Sequence, residues 1–191
     1  MLYIMRHGQT DWNIGNKIQG TSDVELNNAG LIQANEAAEY LKNGNFGIKR
    51  IVTSDLKRTA QTAQIIGNKL HILVDYDTRL REYNFGHLEG RAVSTISEST
   101  LHEFMKNPKA FDAEPFEDAF ARVSSFLADA DYNTNTLVMS HGIIMRIVIH
   151  YLDDGHTFDL RKFMELFHTT RIKNTSMLGI SGLNSRIEYV R

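Results

Sequence analysis

Three short apolar runs, each breaking off into polar residues, constrain this chain more than any other feature of it. Leu2 to Met5 runs into Arg6-His7-Gly8, Arg50 to Ser54 leads through Asp55 to Arg58, and Thr136 to Ser140 ends in His141-Gly142. Four or five consecutive residues of this kind suit a strand covered on both faces, as in a parallel sheet between layers of helices. Ligands of such sheets bind in the crevice beyond the carboxyl ends of the strands. All three runs deliver a cationic or cationisable side chain at that end, so an anion site is expected there.

The intervening segments supply the helices. Asn28 to Asn43 carries Leu31, Ala34, Ala38 and Leu41 at helical spacing, with Asn27 placed to cap it. Asp55 to Leu70, with Asp55 as the expected N-cap, repeats the pattern through Leu56, Ala60, Ala63, Ile66 and Leu70. His71 to Val74 then reads as a fourth strand. This alternation predicts an α/β fold, a three-layer sandwich with a mostly parallel central sheet flanked by helices and joined by right-handed crossovers. Residues 84–116 interrupt it with glycines, a serine and threonine cluster from Ser94 to Thr100, a short helix at Leu101 to Lys106, and Pro108. An irregular insertion of this kind is expected to form a partial lid over the site. Glu117 to Ala130 resumes as a helix with Phe116, Phe120, Val123, Phe126 and Leu127 on one side, and Ile143 to Leu152 follows as a buried one. Thr175 to Ile180 and Arg186 to Val190 are strand candidates, the second short, polar and at an edge. Residues 161–171 follow no clear pattern, and 153–174 receive no role.

At 191 residues, 42% hydrophobic and 23% charged, the chain is expected to be one globular domain, 1–191, with a substantial core. A net charge of -2 gives no general attraction for nucleic acid or anionic membranes, so anion affinity has to be local. Cysteine is absent, which removes disulfides, thiol catalysis and cysteine metal sites. No apolar run approaches a membrane span and Met1 leads straight into a core strand, so the expectation is a cytoplasmic protein. No His-Glu-x-x-His pattern or carboxylate cluster calls for a metal, and no Gly-x-x-x-x-Gly-Lys loop for a nucleoside triphosphate. No cofactor is expected.

Taken in order, Arg6-His7-Gly8-Gln9-Thr10 with Asn13, Ile18-Gln19-Gly20, Ser54-Asp55-Leu56-Lys57-Arg58-Thr59 with Gln61-Thr62-Ala63, Leu80-Arg81-Glu82 with Phe85-Gly86 and Glu89-Gly90, and Ser140-His141-Gly142 resemble the histidine phosphatase superfamily. That group includes phosphoglycerate mutase and its phosphatase relatives. The resemblance implies that His7 takes up the phosphoryl group, that Glu82 protonates the departing oxygen, and that His141 donates to the phosphoryl oxygens. The residues by themselves do not tell the two histidines apart. Arg6 and Arg58 offer forked guanidinium groups that match phosphate; Asn13 and the Gly142 N–H, at the start of a helix, are further donors. Gln19, with Gly20 beside it, matches the place where the family contacts the phosphate or leaving group. The other nitrogen of His7 is expected to meet a backbone carbonyl, with Gly8 permitting the approach. In the empty site Arg6 and Arg58 are expected to favour a neutral His7 and an ionised Glu82.

Bland readings compete with these. A core does not gather Arg6, His7, Arg58 and His141 without an anion, but Glu82 could serve as an ion-pair partner of Arg58 or Arg81, and Glu89 competes for the acid role. His71, His87, His102, His150, His156 and His168 are expected to be structural or at the surface. Trp12, Phe85, Phe104 and Phe116 are candidate pocket walls, with burial in the core as the alternative. The expected function is a metal-independent phosphomonoesterase acting on a small phosphorylated substrate. The rival is a phosphoglycerate mutase, disfavoured by a compact segment 91–116 poor in basic residues and by Gln19. A non-catalytic phospho-ligand-binding module is third, and it should have lost His7 or Glu82. Where the family often reads Gly-Glu-Ser this chain has Ala113-Glu114-Pro115, which leaves Glu114 without a role. The C-terminal edge strand offers a homodimer contact.

Overall fold

Alternation within the strands decides how the layers assemble. The chain runs β1 (Leu2–Arg6), a one-turn α1 (Asp11–Ile14), α2 (Asn28–Asn43), β2 (Arg50–Thr53), α3 (Lys57–Leu70), β3 (Val74–Tyr76), α4 (Glu98–Lys106), α5 (Phe116–Asp129), β4 (Thr136–Ser140), α6 (Gly142–Asp153), α7 (Leu160–Thr169), β5 (Met177–Ile180) and β6 (Glu188–Tyr189), in a computed structural model that describes residues 1–190. Leu2 and Ile4 of β1 join one apolar cluster with Val52 and Val138; Tyr3 and Met5 join the other with Ile51, Leu137 and Met139. This is the period of two that a pleated strand imposes. Helices α5 and α6 cover the first face, and α2 and α3 the second.

The six strands lie in the order β3-β2-β4-β1-β5-β6. The first four are parallel, while β5 and β6 run antiparallel. Arg6 of β1 is in register with Ser140 of β4, and Thr53 of β2 with Met139. The carboxyl ends of the three diagnostic strands therefore share one rim.

Several boundaries move for physical reasons. The fourth strand is Val74–Tyr76, later than expected, because His71 takes a left-handed conformation that closes α3 and because β3 can pair only from Val74, opposite Ile51. Asp55 does not cap α3: it pairs with Arg81 through two oxygens, and Leu56 occupies the cap position without a side-chain bond. Leu31 points away from the core that Gly30, Ala34, Ala37, Ala38 and Leu41 build. The strand expected from Thr175 begins at Met177, since Thr175 is left-handed and its N–H turns back to Arg6 O. The unassigned stretch 161–171 falls largely within α7, capped by Asp159 and anchored by the fully buried Phe163.

Residues 84–116 are fastened by aromatic packing. Tyr83 stacks on Phe116 at 4.6 Å, and Phe104 lies 5.9 Å from Phe85 and 5.6 Å from Phe111. Phe104 and Phe116 are thus core residues, whereas Phe85 and Trp12 face the site. On the opposite side β1 leaves the sheet through a close backbone crossing. A Cβ on Gly8 would lie 2.6 Å from Gly30 O, and one on Gly30 only 2.0 Å from Gln9 O.

Candidate active site

Because β1 and β4 are parallel neighbours in register, the residues that follow them become neighbours too. The His7 and His141 rings stand 5.3 Å apart between centroids, and His7 N–H donates to Ser140 O at 3.1 Å. His7 Nδ1 lies 2.7 Å from Gly8 O. A carbonyl can only accept, so Nδ1 carries the proton and Nε2 keeps its lone pair. Burial, with Arg58 and Arg6 adding repulsion, holds the His7 pKa well below the ordinary histidine value. His7 is neutral at physiological pH.

Glu82 is also buried. Its Oε1 accepts from Tyr83 N–H at 3.1 Å and its Oε2 from Ile143 N–H at 3.3 Å, in the first turn of α6. Burial raises its pKa against the pull of Arg58, those two N–H groups and Arg6. Arg58 and Arg6 pull toward the ionised carboxylate as expected, but desolvation is the larger cause and sets the net direction upward. The Glu82 backbone is held from outside by Arg122, which donates to the carbonyls of Arg79, Arg81 and Glu82 and is itself bound at 2.8 Å by Glu114. Glu114 thus has a structural place in this clamp. Glu89 has another, accepting from the N–H and hydroxyl groups of Thr21 and Ser22, which engages both of its oxygens.

Eight of the nine expected site residues, Arg6, His7, Asn13, Gln19, Gly20, Arg58, Glu82 and Gly142, line one cavity of about 300 Å³. His141 stands behind that wall, fully buried, with Nε2 bonded to Ser54 Oγ at 3.1 Å and Nδ1 without a partner. Arg58 is entirely buried at the start of α3 and braces the loop opposite by donating to Gly20 O and Ser22 O. Burial lowers its pKa to about 10, so it stays charged at neutral pH. Asn13 Oδ1 accepts from Thr10 N–H at 3.1 Å and Gln19 Oε1 from Thr10 Oγ1 at 2.9 Å. With both amide oxygens engaged, their NH₂ groups are the ends left to donate. Gly20 has φ +53°, and a Cβ there would lie 2.0 Å from Glu89 Oε1, so only glycine fits.

The sequence reading missed Arg146, Lys17 and Ile172, which also line the cavity. Arg146 left a signal, a lone cation in the otherwise apolar run Ile143 to Ile149 and four residues beyond Gly142. It also missed Asn174, whose Nδ2 donates to His7 O at 3.0 Å from the turn before β5. Among the described residues, no three His, Asp or Glu side chains converge on a metal-sized site, and no helix is long and apolar enough to cross a membrane.

Residues 2–180 match the family model of the histidine phosphatase superfamily (branch 1). The chain is 35% identical over 157 residues to the "Probable phosphoglycerate mutase GpmB" of Enterobacter sp. (strain 638), a match spanning 78% of this chain and 72% of that protein. Among solved structures it is similar to a mycobacterial glucosyl-3-phosphoglycerate phosphatase complexed with VO3, at 28% identity and a TM-score of 0.75, covering 93% of this chain and 90% of that one. It is also similar to phosphoserine phosphatase from Entamoeba histolytica in complex with 3-phosphoglyceric acid, at 27% identity and a TM-score of 0.71, with 93% and 88% covered.

Proposed function

The chain belongs to the histidine phosphatase superfamily, branch 1, and from that premise we propose that it is a metal-independent phosphomonoesterase using a phosphohistidine at His7. One observation carries the reading: His7 Nδ1 is tied to Gly8 O, so the Nε2 lone pair belongs to a cavity whose wall also holds two phosphate-matching arginines and a carboxyl whose pKa burial raises. Nε2 attacks phosphorus, and the P–N bond forms as the ester P–O bond breaks. The leaving oxygen takes the bond's electron pair and the proton of Glu82. Water then gives a proton to Glu82 as its oxygen attacks phosphorus, the P–N pair returns to Nε2, and inorganic phosphate departs. Arg6, Arg58 and the amides of Asn13 and Gln19 hold the equatorial oxygens, which is the positioning that phosphoryl transfer demands.

The relative named a mutase supports a second reading, return of the phosphoryl group to its donor. Of residues 91–116 only Val93 lines the cavity among the described residues, so that segment supplies no cation to retain an intermediate. This favours hydrolysis. Rapid quench into alkaline denaturant, with a chelator present throughout, should trap an acid-labile phosphoryl group on His7, and His7→Ala should abolish both adduct and turnover. An adduct on His141, or activity lost to chelator and restored by a divalent ion, would overturn the mechanism. Isomerisation of 3-phosphoglycerate primed by 2,3-bisphosphoglycerate, without phosphate release, would install the mutase reading instead.

A further inference from the structure

Arg146 takes no part in the phosphoryl chemistry above, yet it lines the same cavity. Its Nη1 donates to Gly142 O at 3.1 Å, its Nη2 to Thr170 O at 3.0 Å, and its guanidinium lies 4.8 Å over the Phe167 ring. None of these partners is an anion, and its buried Nε has no hydrogen-bond partner. The group is held in place by α6, α7 and the residue after α7, and most of its donor capacity is undirected.

A second guanidinium approaches the same point. A Cβ on Gly142 would lie 3.6 Å from Arg146 Nη1 and 3.7 Å from Arg6 Cζ, so the two cations flank a residue that has no side chain. Arg6 Nε is likewise buried without a partner. Four cations, Arg6, Arg58, Arg146 and Lys17, face one carboxyl group, Glu82, across the cavity. With Glu82 carrying the proton that the proposed acid role requires, a phosphoryl dianion balances Arg6 and Arg58, and Lys17 is exposed to solvent. Arg146 is left as a half-buried cation that calls for one further negative charge.

Direction is set by α6. Ile143 N–H holds Glu82, the donor to the leaving oxygen, and Arg146 lies three residues further along the same helix, on the face that Ile143 shares. We infer that Arg146 is a specificity-determining residue that binds a carboxylate carried on the leaving portion of the substrate, so that the preferred substrates are phosphate monoesters of small hydroxy acids. The inference rests on the phosphatase reading. A carboxylate's two coplanar oxygens match a guanidinium edge, and a single cation here balances a monoanion better than a second phosphate.

The test compares kcat/KM of the wild-type chain for 3-phosphoglycerate and glycerol 3-phosphate, which differ in a carboxylate against a hydroxymethyl group, and for phosphoserine against phosphoethanolamine. A charge-assisted pair predicts at least about a tenfold preference for the acids, chiefly through KM. Arg146→Met should bring both ratios to within about threefold of unity, and Arg146→Lys should keep part of the preference as a point charge. Equal use of acidic and neutral esters by the wild type, which needs no variant to fold, would overturn the inference. So would a preference that survives in Arg146→Met, or fructose 1,6-bisphosphate being used better than 3-phosphoglycerate. Failure to hydrolyse any ester, p-nitrophenyl phosphate included, would instead overturn the phosphatase reading itself.

Discussion

At the scale of single residues, His7 and Glu82 have their pKa values shifted by the same cause acting in opposite senses. Burial disfavours the charged form of both, pushing His7 toward the neutral imidazole and Glu82 toward the protonated carboxyl, which is the direction that the proposed attack and leaving-group protonation require. On the proposed mechanism the active form should be lost at acid pH when His7 gains a proton, below its lowered pKa, and at alkaline pH when Glu82 loses one, above its raised pKa. Glu82→Gln should therefore remove the alkaline limb of the kcat profile and leave the acid limb. It should lower kcat by about 10²- to 10⁴-fold for an alkyl phosphate but by less than about tenfold for p-nitrophenyl phosphate, whose leaving group needs little protonation. Equal losses on both esters would exclude Glu82 as the acid.

At the scale of elements, the geometry around His7 depends on how β1 passes the start of α2. Helix propensity alone says that Gly30→Ala should stabilise α2 by up to about 1 kcal/mol. Packing says the reverse, because the added Cβ would meet Gln9 O at 2.0 Å, a backbone atom that cannot rotate away. Steric conflict of that size wins, and Gly30→Ala should cost about 2–3 kcal/mol, a fall in Tm of roughly 5–10 °C for a chain this long. Because Gly8 O holds His7 Nδ1, kcat should fall with it. Calorimetry and steady-state kinetics on the one variant check both; an unchanged or raised Tm would show that the crossing relaxes easily.

At the scale of the whole molecule, the layers enclose three histidines, His7, His141 and His150, all with pKa lowered chiefly by burial. The His150 Nε2 accepts from Asp159 N–H at the cap of α7, which favours the neutral ring, while Asp154, 2.8 Å from Nδ1, pulls the other way and is outweighed by burial. Below the unfolded histidine pKa the unfolded chain binds more protons than the folded one, so stability falls as pH falls. Each group contributes up to about 1.4 kcal/mol per pH unit until its folded pKa is reached. Glu82, with its pKa raised, has the opposite sign and opposes only part of this at lower pH. Urea midpoints should drop between about pH 7 and pH 5.5, before ordinary carboxylates titrate. A flat profile there would mean that the buried histidines admit a proton at little cost.

Periodicity and chain order alone determined the α/β class, the helix Asn28–Asn43 with its Asn27 cap and the apolar face of α5. The rim on which Arg6, Arg58 and His141 fall was also determined, because strand alternation and helical spacing are local properties that each segment carries by itself. What the tertiary structure decided was every fact that depends on a partner distant in sequence. Strand order set His7 beside His141; Val74 became the first residue of its strand only because Ile51 lies opposite; Asp55 left its cap for Arg81; and Arg146, Lys17 and Asn174 entered the site from elements that gave no common motif. The upward shift of the Glu82 pKa belongs to this second class. Sequence lists the cations near a carboxyl, but only the packed structure shows how much water has been removed from it, and desolvation is the larger force there.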